Sequence, residues 1–221
     1  MNILSRILQP LATLVLLLLL SALCSGQDKK KISYALFLDN SGSMRTQFDQ
    51  VTKIGKAVVR QIHGRGPVSI FDFTSQGALR DATAVVTPRI EGSQDERLLE
   101  QTIDDLYLVG GQTTLLDAIQ TIADSFGPQA NEGAASERVI ILITDGEDRK
   151  SYLTEATLLR KLKEARTKVY AVGMIQQLRS PSRASDLLRS VTKETGGRVV
   201  FTKSDRDDLQ RLLADLAIAD Q

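Results

Sequence analysis

Ile32-Ser33-Tyr34-Ala35-Leu36-Phe37-Leu38-Asp39-Asn40-Ser41-Gly42-Ser43 carries the strongest fold signal in the chain. A nearly unbroken apolar run halts at an acid followed by two hydroxyls. Alternation of apolar and polar residues marks a strand with one wet face, whereas a continuous run marks a strand covered on both. The run therefore predicts a central strand between two layers of helices. Val139 to Ile143 repeats the pattern and also stops at an acid, in Thr144-Asp145-Gly146.

After the Asp39 loop, Phe48, Val51, Gly55, Val58, Val59 and Ile62 recur at helical spacing, with Gly64 expected as a left-handed cap. Val68 to Phe73 and Leu79 to Val86 read as strands joined through Thr74-Ser75-Gln76-Gly77, a hairpin that supplies one antiparallel edge. Ser93 with Glu96 reads as a capping box ahead of Leu99, Ile103 and Leu106. A further helix carries Leu115, Leu116, Ile119, Ile122 and Phe126, and another carries Leu158, Leu159 and Leu162. The strand Val169 to Val172, a helix with Leu187, Leu188 and Val191, the strand Val199 to Phe201 and a helix with Leu209, Leu212, Leu213 and Leu216 complete the chain. Gln129 to Ser136 and Gln176 to Ser185 read as loops, the second basic through Arg179 and Arg183. Strands alternating with helices predict an α/β fold: a mostly parallel sheet, one antiparallel edge strand and helices on both faces.

The chain has 221 residues, 42% of them apolar, enough for one domain with a sizeable core. Arg6, the apolar run Leu11 to Leu20 and the small residues Ser21, Ala22, Ser25 and Gly26 form a secretory signal pattern over residues 1–26, leaving 27–221 as the domain. Retention as a membrane anchor would ask for about 20 apolar residues, and this run is shorter and follows Pro10. Lipid attachment at Cys24, the single cysteine, is disfavoured by Leu23, where such signals carry a small residue. A membrane association thus requires that the segment be retained or lipidated. The expected location is secreted or periplasmic. Without residues 1–26 the domain has no cysteine, which excludes disulfides and thiolate ligands. Loss of Arg6 would also balance its basic and acidic residues, which argues against nucleic acid as a partner.

In an open α/β sheet, ligands gather beyond the carboxyl ends of the strands where strand order reverses. Asp39, Ser41 and Ser43 follow one such end and Asp145 follows another, while Gly110-Gly111-Gln112-Thr113-Thr114 delivers a hydroxyl at a helix start. Two carboxylates and three hydroxyls without histidine or thiol suit magnesium, which prefers six oxygens at about 2.0 to 2.1 Å. Manganese is the expected substitute. Taken one at a time, each of these motifs reads more readily as a helix cap or turn former than as a ligand. Their joint occurrence at strand ends points to a metal site.

The Asp39-x-Ser41-x-Ser43 loop, the Gly110-Gly111-x-Thr113 turn and the Thr144-Asp145-Gly146-Glu147 loop resemble the metal-ion-dependent adhesion site of von Willebrand factor type A domains. The wording around them is similar to a bacterial group called VWFA-related acidobacterial domains. The resemblance implies a Rossmann-like fold, with Ser41, Ser43 and Thr113 as hydroxyl ligands and Asp39 and Asp145 holding the ion directly or through water. It implies a protein partner supplying a Glu or Asp carboxylate. It also implies adhesion rather than catalysis, with the helix from Ser204 to Gln221 reporting occupancy.

Two other readings remain. An aspartate-nucleophile phosphotransferase would also place an acid such as Asp39 after its first parallel strand, but it wants a second acid two residues later, where Ser41 stands. A structural module could instead recognise partners without metal through Arg179 and Arg183. His63, the only histidine, stands at a helix end and suits the helix dipole. Glu147 and Asp148 are expected in the first turn of the next helix, and Asp117 in a first-turn capping role.

Overall fold

The computed structural model describes residues 32–76, 83–109, 113–126, 137–174, 181–202 and 210–214. The signal segment, Gly110 to Gln112, Arg179 and most of the last helix lie outside the described residues. Strand β1 (Ile32–Leu38) is followed by a 3₁₀ turn (Gly42–Met44) and helix α1 (Phe48–Ile62). Then come β2 (Val68–Gln76), β3 (Thr83–Ser93), α2 (Glu96–Asp104), α3 (Leu115–Ser125), β4 (Glu137–Thr144), α4 (Glu155–Glu164), β5 (Thr167–Gly173), α5 (Pro181–Glu194) and β6 (Val199–Phe201). Residues 210–214 are helical.

The sheet order is β3-β2-β1-β4-β5-β6, with every neighbouring pair parallel except β2 with β3. Successive side chains of a strand point to opposite faces. Tyr34, Leu36 and Leu38 of β1 and Val139, Ile141 and Ile143 of β4 accordingly pack against α1 and α2. Ala35, Phe37, Ile140 and Leu142 pack against α3, α4 and α5. This two-sided burial is why the strands read as unbroken apolar runs.

Several local expectations are corrected. Gly64 is not left-handed: α1 ends at His63 in a right-handed conformation, with its N–H on the Val59 carbonyl. The capping box at Ser93 gives way to Asp95, whose carboxylate accepts from the N–H groups of Arg97 and Leu98. Ser93 still belongs to β3, so the cap falls two residues later. Thr74, Ser75 and Gln76 are not the hairpin link but pair with Val85, Ala84 and Thr83. Beyond Val86, β3 continues through Pro88 to Ser93. Proline is tolerated there because β3 is an edge strand with register shifts beside it. Residues 181–185 are helical rather than loop, α5 starting at Pro181, where the missing N–H costs nothing.

Candidate metal centre

Strand order reverses between β1 and β4, so their carboxyl ends open into the crevice where α/β folds hold ligands. Leu38 pairs with Ile143, and the Asp39 N–H donates to the Ile143 carbonyl at 2.9 Å. The two acids expected at the site therefore leave adjacent strands together. Asp39 is fully buried; its Oδ1 accepts from the Ser41 N–H at 3.0 Å and its Oδ2 from the Thr144 hydroxyl at 2.6 Å. Thr144 Oγ1 in turn accepts from the Gly146 N–H at 3.1 Å. Asp145 is also buried, with Oδ1 accepting from the Glu147 N–H at 2.9 Å and a further hydrogen bond to the Ser43 side chain. Ser41 and Ser43 bring their hydroxyl oxygens within 3.1 Å, Ser41 buried and Ser43 exposed at the mouth.

Asp39, Ser41, Ser43 and Asp145 thus form one linked cluster. Burial raises the Asp39 carboxyl to about 6, and the nearby Asp145 charge adds to the rise. Asp145 is raised as well, chiefly by burial. The groups that hold Asp39 are neutral hydroxyls and an N–H, so its charge is solvated by dipoles rather than by a cationic side chain.

Thr113 is buried and enters from a separate segment, its carbonyl accepting from the Arg149 N–H at 3.0 Å. That bond ties the approach to α3 onto the loop after β4. The same loop caps α3: Ser151 Oγ accepts from the N–H groups of Leu116 and Asp117 at 3.1 and 3.2 Å and donates to Asp148 at 2.5 Å. Asp117 returns the contact by accepting from the N–H groups of Tyr152 and Leu153. Glu147 and Asp148 therefore do not occupy the first turn of a helix, since α4 starts only at Glu155. Asp117 lies in the first turn of α3 but binds this loop from there.

One set of supporting residues escaped the sequence reading. The Asn40 side chain donates to Asp72 Oδ2, the Phe73 carbonyl and the Tyr107 carbonyl at 2.9 to 3.0 Å, and accepts from the Phe73 N–H at 2.9 Å. Its own carbonyl accepts from the Val109 N–H. Asp72 is fully buried and held by both forks of Arg89, at 2.7 and 2.8 Å. Burial still raises the Asp72 carboxyl, against the pull of Arg89, and the pairing raises the guanidinium. Asn40 thereby anchors the loop bearing Asp39 and Ser41 to β2. Its side-chain partners lie 32 to 67 residues away, beyond any local motif. Asp72 was the available signal: a charge between Phe71 and Phe73 in a buried strand must have a partner.

The donors fit a hard divalent cation. Buried acids side by side are unfavourable until a positive charge joins them, and hydroxyls beside them offer further oxygen donors. Among the described residues no group of three or more His, Cys, Asp or Glu side chains could hold a metal, so the serine and threonine hydroxyls would be needed.

The comparisons agree with this architecture. No curated protein matches the chain significantly. Similar solved structures include manganese-loaded TRAP protein of Plasmodium vivax, with TM-score 0.63, 16% identity and coverage of 86% of this chain and 74% of that one. BatB of Bacteroides thetaiotaomicron gives TM-score 0.60 at 16% identity over 85% of this chain and 97% of that one. The pilus adhesin SpaC of Lactobacillus rhamnosus GG, in its open conformation, gives 0.57 at 15% identity; 87% of this chain is matched, but only 30% of the adhesin. Identities this low speak for the fold alone. The family model for the von Willebrand factor type A domain matches residues 35–215. Most of the chain, including both acid-bearing loops, falls within that match, and the chain belongs to the von Willebrand factor type A domain family.

Proposed function

We propose that this chain is an exported recognition domain, without catalytic activity, in which Asp39, Ser41, Ser43, Thr113 and Asp145 hold one magnesium ion, or manganese in its place. A protein partner contributes an aspartate or glutamate carboxylate to the same ion. The observation that carries this reading is the pair of buried acids, Asp39 and Asp145, leaving adjacent strands with the two serine hydroxyls beside them. A bound divalent ion would supply a Lewis-acidic position able to accept a foreign carboxylate oxygen. The chain's own groups orient that position. Thr144 and the Ser41 N–H fix the Asp39 carboxylate, Asn40 fixes the loop, and exposed Ser43 marks the open side. With two carboxylates against a doubly charged ion, the centre stays neutral and keeps its attraction for another anion. Residues 1–26 direct export, and 27–221 form the domain.

Titration of magnesium into the metal-free protein tests the reading. One site is expected for the wild type, lost in Asp39→Ala and Asp145→Ala while circular dichroism shows the fold retained. Equal magnesium affinity in all three proteins would remove the basis of the proposal. Partner capture with and without chelator separates it from metal-independent recognition through Arg179 and the exposed Arg183, which chelator would leave intact.

A further inference from the structure

The large apolar side chains that remain exposed among the described residues are Leu98, Tyr107 and Tyr152, at 45, 59 and 94% exposure. Single exposed apolar residues are ordinary, so their placement is what matters. The end of β3 pairs with the start of β2, at Ser93 and Val68, so α2 begins at the amino edge of the sheet. Leu98, in the first turn of α2, lies at that edge. Both tyrosines lie at the opposite edge, on segments bonded directly to the candidate metal loops. Tyr107 gives its carbonyl to Asn40, next to Asp39 and Ser41, on the β2 side. Tyr152 sits on the loop after β4, past Asp145, with its N–H on Asp117 of α3.

Both residues stand on a held backbone, and the Tyr107 ring is held as well. The Arg89 guanidinium lies 5.6 Å from the centre of the Tyr107 ring while both its forks grip Asp72. The backbone around Tyr152 is fixed through Asp117 and Ser151. Tyrosine on a fixed backbone makes an economical interface anchor: it offers a large contact area, loses little side-chain freedom and is enriched among the residues that dominate binding energy. The gap between such anchors excludes water from a central charged contact, which strengthens it.

We infer that Tyr107 and Tyr152 form an aromatic rim on two sides of the metal centre, and that the partner is a protein segment whose acidic residue is flanked by apolar or aromatic side chains. The inference rests on the metal-centre reading and adds the chemistry of the residues around the carboxylate. A segment acidic throughout would satisfy the ion but leave both rings in water. Apolar flanks cover them.

The test uses a displayed library of linear peptides with one fixed aspartate and randomised neighbours, selected on the full domain in magnesium. Enrichment of apolar and aromatic residues within about three positions of the aspartate is expected. The selected peptides should bind about tenfold more weakly to Tyr107→Ala and to Tyr152→Ala, a loss typical of an interface anchor. They should bind equally to Leu98→Ala and nearly as well to Tyr107→Phe, which keeps the ring. Magnesium affinity without peptide, measured on each variant, should match the wild type and so shows the centre intact. Unbiased flanks, magnesium-dependent peptides indifferent to both tyrosines, or no magnesium-dependent peptide at all would overturn the rim while intact metal binding leaves the metal centre standing. Absence of metal binding in the wild type would overturn both.

Discussion

Replacing Asp39 by asparagine should stabilise the metal-free domain, although it removes a residue central to the proposed site. Burial and the neighbouring Asp145 hold the Asp39 carboxyl at about 6, against an ordinary value of 3.8. A carboxyl raised in the folded state makes folding less favourable once pH exceeds the unfolded value, and the full loss is reached above the folded value. At about 1.4 kcal/mol per pH unit, the difference is on the order of 3 kcal/mol at pH 7.5. Asparagine has the same shape and no charge. Its oxygen can keep the Ser41 N–H, and its amide can donate to Thr144 Oγ1, which also accepts from Gly146. Allowing about 1 kcal/mol for the weaker neutral hydrogen bonds leaves a gain of about 2 kcal/mol. For a domain of this size that raises the melting temperature by roughly 4 to 8 °C. Thermal unfolding followed by circular dichroism in chelator at pH 7.5 reads it directly. Saturating magnesium at a hundredfold excess over the dissociation constant should then stabilise the wild type by about 2.7 kcal/mol and leave Asp39→Asn unchanged. An asparagine variant that melts below the wild type in chelator would mean that the buried Asp39 charge does not destabilise the metal-free fold.

Further outcomes follow from the same structure. Acidification from pH 7.5 to about 5 should stabilise the metal-free wild type, because Asp39 and Asp145 are both raised, and this gain should be absent or reversed with magnesium present; urea midpoints across that range check it. Arg89→Ala leaves Asp72 buried without its ion partner and should cost about 3 kcal/mol, with magnesium affinity falling as Asn40 loses its fixed neighbour; Arg89→Lys should recover only part, since an ammonium cannot grip both oxygens. Gly146→Ala should cost about 2 kcal/mol in chemical denaturation, because Gly146 has φ of +78° and an added Cβ would stand 2.9 Å from the Leu188 side chain and 3.0 Å from the Ala184 carbonyl.

Features set by local residue pattern were legible in the sequence, and those set by distant partners were not. The runs at Ile32, Val139 and Val169 reveal β1, β4 and β5 because strands covered on both faces cannot afford polar positions. Both acids of the proposed site follow such runs, so the side-by-side placement of Asp39 and Asp145 at adjacent strand ends could be anticipated. Gly64 and Ser93 misled because cap preferences are weak and several residues near a helix end can satisfy the same backbone groups. Glu147 and Asp148 misled similarly: acids near a helix start suit the dipole, but here Asp148 and Ser151 cap α3 from the loop after β4, and Glu147 pairs with Arg149. Asn40 gave no sign of its role, since nothing in Leu38-Asp39-Asn40-Ser41 indicates Phe73 or Tyr107 as partners.

In the proposed centre, five side chains from three separate segments converge on one cation with an open outer face. A crystal of the domain grown with manganese and measured at the manganese absorption edge tests it most directly. A single anomalous peak is expected within bonding distance of the Ser41 and Ser43 hydroxyls, with Asp39, Thr113 and Asp145 around it directly or through water and one coordination position facing solvent. A peak elsewhere, or an ion enclosed wholly by the domain's own atoms, would contradict it.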